Sequence, residues 1–184
     1  MILLRHTHPD VAPGTCYGRT DLDVSDSFDS EAARIIAELP AFELLVSSPA
    51  KRCRALAEFI AARRNLKVNI DDRVQEMNFG SWEGVPWSKI PRNEIDAWAQ
   101  SFMEARPHGG ESVSMVHRRT RDAMDYYRRL DLTTVIVTHA GFIKAALASG
   151  DTVSDFDTAV DFGCFIEVTE GHQNKPLDQR HDRP

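Results

Sequence analysis

Arg5 and His6 follow the apolar run Ile2-Leu3-Leu4, and His139 follows Val135-Ile136-Val137-Thr138. Both histidines stand where a buried strand gives way to a loop, the place where open α/β sheets gather reactive groups. Ser47-Ser48 closes a third strand-like run, Phe42 to Val46, and Arg52 lies one turn inside the helix that Pro49 introduces. If these strands run parallel, His6, Ser48 and His139 open at one edge, and Arg52 reaches back over it. Arginine forks match the paired oxygens of a phosphate, and helix N-termini after Pro49 and Gly141 add backbone N–H groups. Arg5, Arg52, His6 and His139 are therefore the candidate ligands of a phosphoryl group held without a metal. A histidine among arginines is kept neutral by their charge, and a neutral imidazole is a nucleophile toward phosphorus. The plainer alternatives are a solvated Arg5-His6 pair, a strand-capping His139 and an exposed Arg52. Each suits one residue alone; the common register of all four argues against them.

The elements that must position these groups read in order along the chain. Residues 7 to 27, with Pro9, Pro13, Gly14 and Gly18, form a long ordered loop, and loops of that length in compact domains are usually functional. Ser27 or Asp29 caps a helix carrying Ala32, Ala33, Ile35, Ile36 and Leu39, which Pro40 stops. Pro49 belongs to the first turn of the next helix, where Cys53, Leu56, Ala57 and Ile60 recur at core spacing. Val68 and Ile70 mark a short strand, and Asp71 to Pro91 a structured loop beside the site. A short helix spans Glu94 to Phe102 with Ile95 and Trp98 inward. A longer one starts after Ser112 with Val113, Val116, Ala123, Met124 and Tyr127 on its buried stripe. A helix carries Phe142 to Leu147, and Cys164 to Val168 is an edge strand. Alternating strands and helices define a three-layer α/β/α sandwich with a mostly parallel sheet over residues 1–170, followed by a disordered tail at 171–184.

Composition limits the partners. With 184 residues, 42% of them hydrophobic, the chain is one domain able to bury a core. Twenty-eight acidic against 22 basic residues give a net charge of −6, which argues against nucleic-acid and anionic-membrane binding. Cys16, Cys53 and Cys164 are widely spaced and form no CxxC pair, as expected of reduced thiols. No run reaches membrane-spanning length, and Met1 leads directly into the first strand, leaving no room for a signal peptide. The expected location is the cytoplasm and the expected partner a small phosphomonoester. The oligomeric state stays open, with a homodimer as one option.

Five motifs occur in order: Arg5-His6-Thr7; Ser47-Ser48-Pro49-Ala50-Lys51-Arg52; Glu76-x-x-Phe79-Gly80-x-Trp82-Glu83-Gly84; Gly110-Glu111-Ser112; and Val137-Thr138-His139-Ala140-Gly141. As an ordered set they resemble the histidine phosphatase superfamily, the phosphoglycerate-mutase-like group. Finer features, His6-Thr7-His8-Pro9, Gly14-x-Cys16-Tyr17-Gly18-x-Thr20-Asp21, Arg52-Cys53 and Gly84-x-x-Trp87, resemble its α-ribazole phosphatase branch. That resemblance implies a phosphatase acting on α-ribazole 5′-phosphate or the phosphorylated cobalamin, without metal or other cofactor, the alternative being a broad-specificity small-molecule phosphatase of the same fold. It implies His6 as the phosphohistidine nucleophile, and Arg5, Arg52 and His139 as the phosphate pocket. Glu76 becomes the proton donor to the leaving oxygen, then the base for water. Thr7 departs from the commoner Arg-His-Gly, and the Glu-x-x-x-Asn loop of the mutases is absent, which argues against a mutase.

Tyr17, Arg19, Glu83 and Trp87 are the candidate substrate-binding residues. Glu83 competes with Glu76 for the acid role, with loop bracing as its alternative. Trp82 and Trp87 are otherwise loop anchors, and Arg119 with Glu111 is a structural ion pair. His8, His108, His117, His172 and His181 are expected at the surface or in loops. Two rivals come from other classes. His6-x-His8 also resembles the metal-binding start of an amidohydrolase barrel, which typically needs about 250 residues. An idle phosphate-binding protein of the same fold would have lost His6 or Glu76, and both are present.

Overall fold

The computed structural model describes residues 1–169, so the expected tail at 171–184, with His172 and His181, lies outside the described residues. The sheet comprises β1 (Ile2–Arg5), β2 (Leu44–Ser47), β3 (Val68–Ile70), β4 (Thr134–Thr138) and β5 (Phe165–Glu167) in the order β3-β2-β4-β1-β5. The first four are mutually parallel, and β5 closes the edge against β1 in the antiparallel sense. This is the expected three-layer α/β fold. Because side chains alternate along a strand, β1 feeds both faces. Ile2 and Leu4 pack with Leu45, Val135 and Val137 against α1 (Phe28–Glu38) and α2 (Lys51–Arg64). Leu3, Val46 and Ile136 pack on the other face with Ala123, Met124, Phe142 and Ile143. Those four residues come from α4 (Val113–Arg128) and α5 (Ala140–Leu147).

Register fixes the site. Arg5 pairs with Thr138 and Ser47 with Val137, so β1, β2 and β4 end level with one another. The chain stays tied one residue past each end: His6 N–H donates to Thr138 O at 3.0 Å and Ser48 N–H to Val137 O at 3.0 Å. His6, Ser48 and His139 are therefore neighbours by strand pairing alone.

Several local expectations shift. Pro49 precedes α2 rather than lying in its first turn; Ala50 is the cap and offers no side-chain bond. The Lys51 N–H instead donates to Asp21 Oδ1 at 2.7 Å, so the long first loop caps α2 from across the sequence. The short helix, α3 (Arg92–Gln100), starts and ends two residues earlier than expected, with Ile95 and Trp98 half-buried against the loop cluster of Cys16, Trp82 and Ile90. On α4, Ser112 accepts from the Met115 N–H at 3.2 Å and the buried stripe is the expected one. Cys16, Cys53 and Cys164 are free thiols. Among the described residues no helix is long and apolar enough to cross a membrane.

His108, expected at the surface or in a loop, is in a loop but buried, packed on Trp82 with ring centroids 4.7 Å apart. Its neighbours Gly109 and Gly110 read as a loop, but the loop folds inward over the tryptophan. His108 Nδ1 accepts from the Gly110 N–H at 2.9 Å, so the ring is neutral with its proton on Nε2.

Candidate active site

His6 is 1% exposed, and its Nδ1 lies 2.7 Å from the Thr7 carbonyl oxygen. A carbonyl can only accept, so Nδ1 carries the proton and Nε2 keeps its lone pair. That lone pair faces Arg52, whose Nε–H donates to it at 3.3 Å. Burial first, then the charge of Arg52, drives the His6 pKa well below the ordinary histidine value. The ring is neutral at neutral pH.

Arg52, 0% exposed, organises the centre. Its Nη1 donates to Thr20 O at 2.8 Å, and its Nη2 to Gly18 O at 2.7 Å and to His139 Nδ1 at 3.2 Å. His139 must then carry its proton on Nε2, which donates to Ser48 Oγ at 2.8 Å. Burial, then Arg52, also pushes the His139 pKa well down. The His6 and His139 rings meet edge-on, with centroids 5.2 Å apart. Cys53 Sγ lies 3.5 Å from His139 Nε2, and burial pushes its thiol up to about 12, so it is a neutral neighbour and not a nucleophile.

Arg5 completes the cationic wall. Its Nη1 donates to Val160 O at 2.6 Å and its guanidinium stacks 3.6 Å from the Phe162 ring centre. Its Nε–H is buried and has no partner among the described residues, and an anion's oxygen would satisfy it. Tyr17 places its hydroxyl beside Arg5; burial raises its pKa against the pull of Arg5 and Arg52, so it remains a phenol.

A pocket of about 180 Å³ opens on this centre, lined among others by Arg19, Asp21, Ser48, Gln75, Glu76 and His139. Arg5 and His6 are not among its lining residues; His6 adjoins it through the His139 ring. A larger hollow of about 370 Å³ along α4, between Met103, His117 and Asp151, touches none of the predicted site residues. Of the predicted site residues, Arg19, Glu76 and His139 line the smaller one.

The two glutamates part company. Glu76 reaches the pocket, and its carboxylate accepts from the N–H groups of Met77 at 2.8 Å and Gly141 at 3.0 Å. A Cβ at residue 141 would lie 2.1 Å from Glu76 Oε1, so only glycine admits the carboxylate at the start of α5. Glu83 instead accepts from the N–H groups of Arg19, Thr20 and Phe79 at 2.9, 2.6 and 3.0 Å, and also from the Thr20 hydroxyl. Burial raises its pKa, but these hydrogen bonds outweigh that and hold it below the usual carboxylate range. Glu83 braces the first loop. Through that loop it also fixes the Gly18 and Thr20 carbonyls that grip Arg52. Gly18 is required here as well, because a Cβ would stand 1.9 Å from Met77 O.

Of the four predicted substrate-binding residues, only Arg19 lines the pocket. Trp87, 39% exposed, packs edge-on against Phe79 and Trp82. Tyr17 borders Arg5, and Glu83 is consumed by the loop. Sequence reasoning missed Asp21, the Gly18 and Thr20 carbonyls and Phe162. Gly18, Thr20 and Asp21 did stand in the Gly14-x-Cys16-Tyr17-Gly18-x-Thr20-Asp21 motif, but nothing in the spacing gave them these roles, since Asp21 caps a helix 30 residues further on.

The three buried neutral histidines carry a pH prediction. His108 joins His6 and His139, its pKa lowered by burial and then by Arg106. Below about pH 6.5 the unfolded chain takes up protons that these folded rings refuse. Stability is thus present above that pH and lost as pH falls from 7 toward 5, before the depressed carboxylates begin to titrate. Thermal melts should show Tm dropping across that window, and His108→Gln should flatten part of the drop. An unchanged slope in His108→Gln would exclude His108 as a contributor.

Fold and site together define an α/β protein with a buried arginine–histidine centre at the carboxyl ends of its parallel strands. The chain belongs to the histidine phosphatase superfamily (branch 1), whose family model matches residues 1–173. Members of that family are phosphatases, which makes the chain a hydrolase. It is 28% identical over 174 residues to phosphoserine phosphatase 1 of Hydrogenobacter thermophilus, covering 89% of this chain and 81% of that one. It is 26% identical over 143 residues to the adenosylcobalamin/α-ribazole phosphatase of Salmonella typhimurium, covering 71% and 69%. A mycobacterial glucosyl-3-phosphoglycerate phosphatase structure superposes with a TM-score of 0.77 at 23% identity, covering 90% of this chain and 87% of that one. The superfamily resemblance is thereby established. The α-ribazole phosphatase is one relative among several.

Proposed function

We propose that this protein is a metal-independent phosphomonoesterase working through a phosphohistidine at His6. One observation carries the reading. With Nδ1–H held by the Thr7 carbonyl, the Nε2 lone pair points at a fully buried guanidinium. A phosphoryl group entering there replaces His6 as the partner of Arg52 Nε–H, meets the Arg5 Nε–H, and takes the place of Ser48 Oγ as acceptor of the His139 Nε2–H. Nε2 attacks phosphorus as the bond to the leaving oxygen breaks, and Glu76 protonates that oxygen. Water then attacks the phosphoramidate, giving its proton to Glu76. The P–N bond breaks, its electron pair returns to Nε2, and inorganic phosphate departs.

For the substrate we propose α-ribazole 5′-phosphate or the corresponding phosphorylated cobalamin, on the motif resemblance and the Salmonella relative. A second reading, phosphoserine, is favoured by the Hydrogenobacter relative, whose match covers more of this chain. Fold does not choose between them.

The test is a kcat/KM comparison under exhaustive chelation on α-ribazole phosphate, phosphoserine, glucosyl-3-phosphoglycerate and ordinary nucleotides. Turnover is expected to survive chelation, with α-ribazole phosphate ahead by about tenfold or more, the scale of one good polar contact in the pocket. A lead for phosphoserine moves the substrate while keeping the mechanism. Loss of turnover that zinc or manganese restores would overturn the mechanism itself.

A further inference from the structure

Arg119 projects from α4 toward the segment that delivers Glu76, and its five N–H groups are divided between that segment and Glu111. Its Nη1 donates to the Arg73 and Gln75 carbonyls at 2.8 and 2.6 Å, and its Nη2 to the Glu76 carbonyl at 3.0 Å. Nε and Nη2 take the two oxygens of Glu111 at 3.0 and 3.1 Å, a fork-on-carboxylate pair. Glu111 is itself fastened to the same segment. Its Oε2 accepts from the Asn78 N–H at 2.9 Å, and its own N–H donates to Asn78 O at 2.8 Å. Arg19 adds a second fork, with Nε on Glu76 O at 3.1 Å and Nη2 on Glu111 Oε2 at 3.3 Å. The pair is well shielded, with side-chain exposures of 15% for Arg119 and 13% for Glu111. Residues 72–74 form a single 3-10 turn, whose Val74 carbonyl accepts from the Thr138 hydroxyl at 2.6 Å; Gln75 and Glu76 beyond it lie in no helix or strand, and Arg119 and Arg19 take up their carbonyls.

The free end of Glu76 is located from the opposite side by Met77 and Gly141, whose N–H groups its carboxylate accepts. Arg119 does not line the pocket, so it has no direct access to substrate. Beyond its ion pair with Glu111, Arg119 thus holds three carbonyls of one short segment, those of Arg73, Gln75 and Glu76.

We propose that Arg119, anchored on Glu111, is a positioning residue for Glu76: it holds the backbone of residues 73–76 so that the carboxylate meets the leaving oxygen. This rests on the reading of Glu76 as the proton donor. Arg19 ties the first loop to the same Glu111, so the residue lining the pocket mouth and the acid share one support.

The experiment is a double-mutant cycle of Arg119→Met and Glu76→Gln, read on two substrates. One is phosphoserine, whose alkoxide needs protonation; the other is p-nitrophenyl phosphate, whose nitrophenolate leaves unaided and whose burst reports phosphorylation alone. Arg119→Met should lower kcat on phosphoserine by about 10–100-fold, part of the usual contribution of a general acid, and change the nitrophenyl burst by less than about threefold. In the Glu76→Gln background the same substitution should cost less than about threefold, because two groups acting as one unit are not additive. Equal loss on both substrates, or losses that multiply in the double variant, would overturn the proposal. If Arg119→Met does not fold, Arg119→Lys decides the matter. A lysine cannot fork Glu111, so a folded Arg119→Lys must show the same leaving-group selectivity in milder form, and its absence overturns the proposal. If Glu76→Gln itself shows no leaving-group dependence, the acid reading has failed; if Glu76→Gln shows it and Arg119 does not, only the positioning role has.

Discussion

His6→Ala is expected to leave a folded protein whose turnover of any phosphomonoester falls by about 10⁴–10⁶-fold, the scale seen when a covalent nucleophile is removed. No other group in the centre can replace it. The Nδ1 of His139 is occupied by Arg52 and its Nε2 carries the proton given to Ser48, while Cys53 is held as a thiol. The direct observation is a labelled phosphoryl group trapped on the wild-type protein by an alkaline quench, since acid destroys a phosphoramidate. His6→Ala should trap none, with circular dichroism and gel filtration unchanged. Normal labelling in that variant would move the nucleophile to His139 and reverse the roles proposed for the two histidines.

Glu76→Gln is expected to slow hydrolysis of alkyl phosphates by about 10²–10⁴-fold, the usual contribution of a positioned acid to expelling an alkoxide. The nitrophenyl burst should be nearly unaffected, and must be read as a burst because the same carboxylate later takes the proton of water. Glu83→Gln makes the contrast. The Glu83 carboxylate is engaged by the backbone of Arg19, Thr20 and Phe79 and does not line the pocket, so it is not placed to give a proton to the leaving oxygen. Its loss should loosen the first loop and the grip of the Gly18 and Thr20 carbonyls on Arg52, raising KM on every substrate regardless of leaving group. A leaving-group dependence confined to Glu83→Gln would transfer the acid role to that residue.

The sequence by itself determined the sheet and the placing of His6 and His139. Ile2-Leu3-Leu4 and Val135-Ile136-Val137 are apolar on both faces and stop at polar residues, and those properties belong to each segment alone. Parallel pairing then leaves little choice about where the ends meet. The core stripe of α4 was legible for the same reason, because 3.6-residue spacing is local. What the fold decided is everything that depends on two distant segments meeting. Arg52 reads as one arginine in Lys51-Arg52-Cys53-Arg54; only the return of the first loop places the Gly18 and Thr20 carbonyls beside it. Which glutamate reaches the pocket was decided in the same way: Glu76 lies there against the Gly141 N–H, while the backbone of Arg19, Thr20 and Phe79 takes up Glu83. His108 looked like a loop residue because burial of a glycine-flanked loop over Trp82 has no periodicity to announce it. Hydrogen bonds between residues 52 and 18, or 119 and 73, leave no mark on the spacing of the accepting segment, since their acceptors are backbone carbonyls that every residue carries.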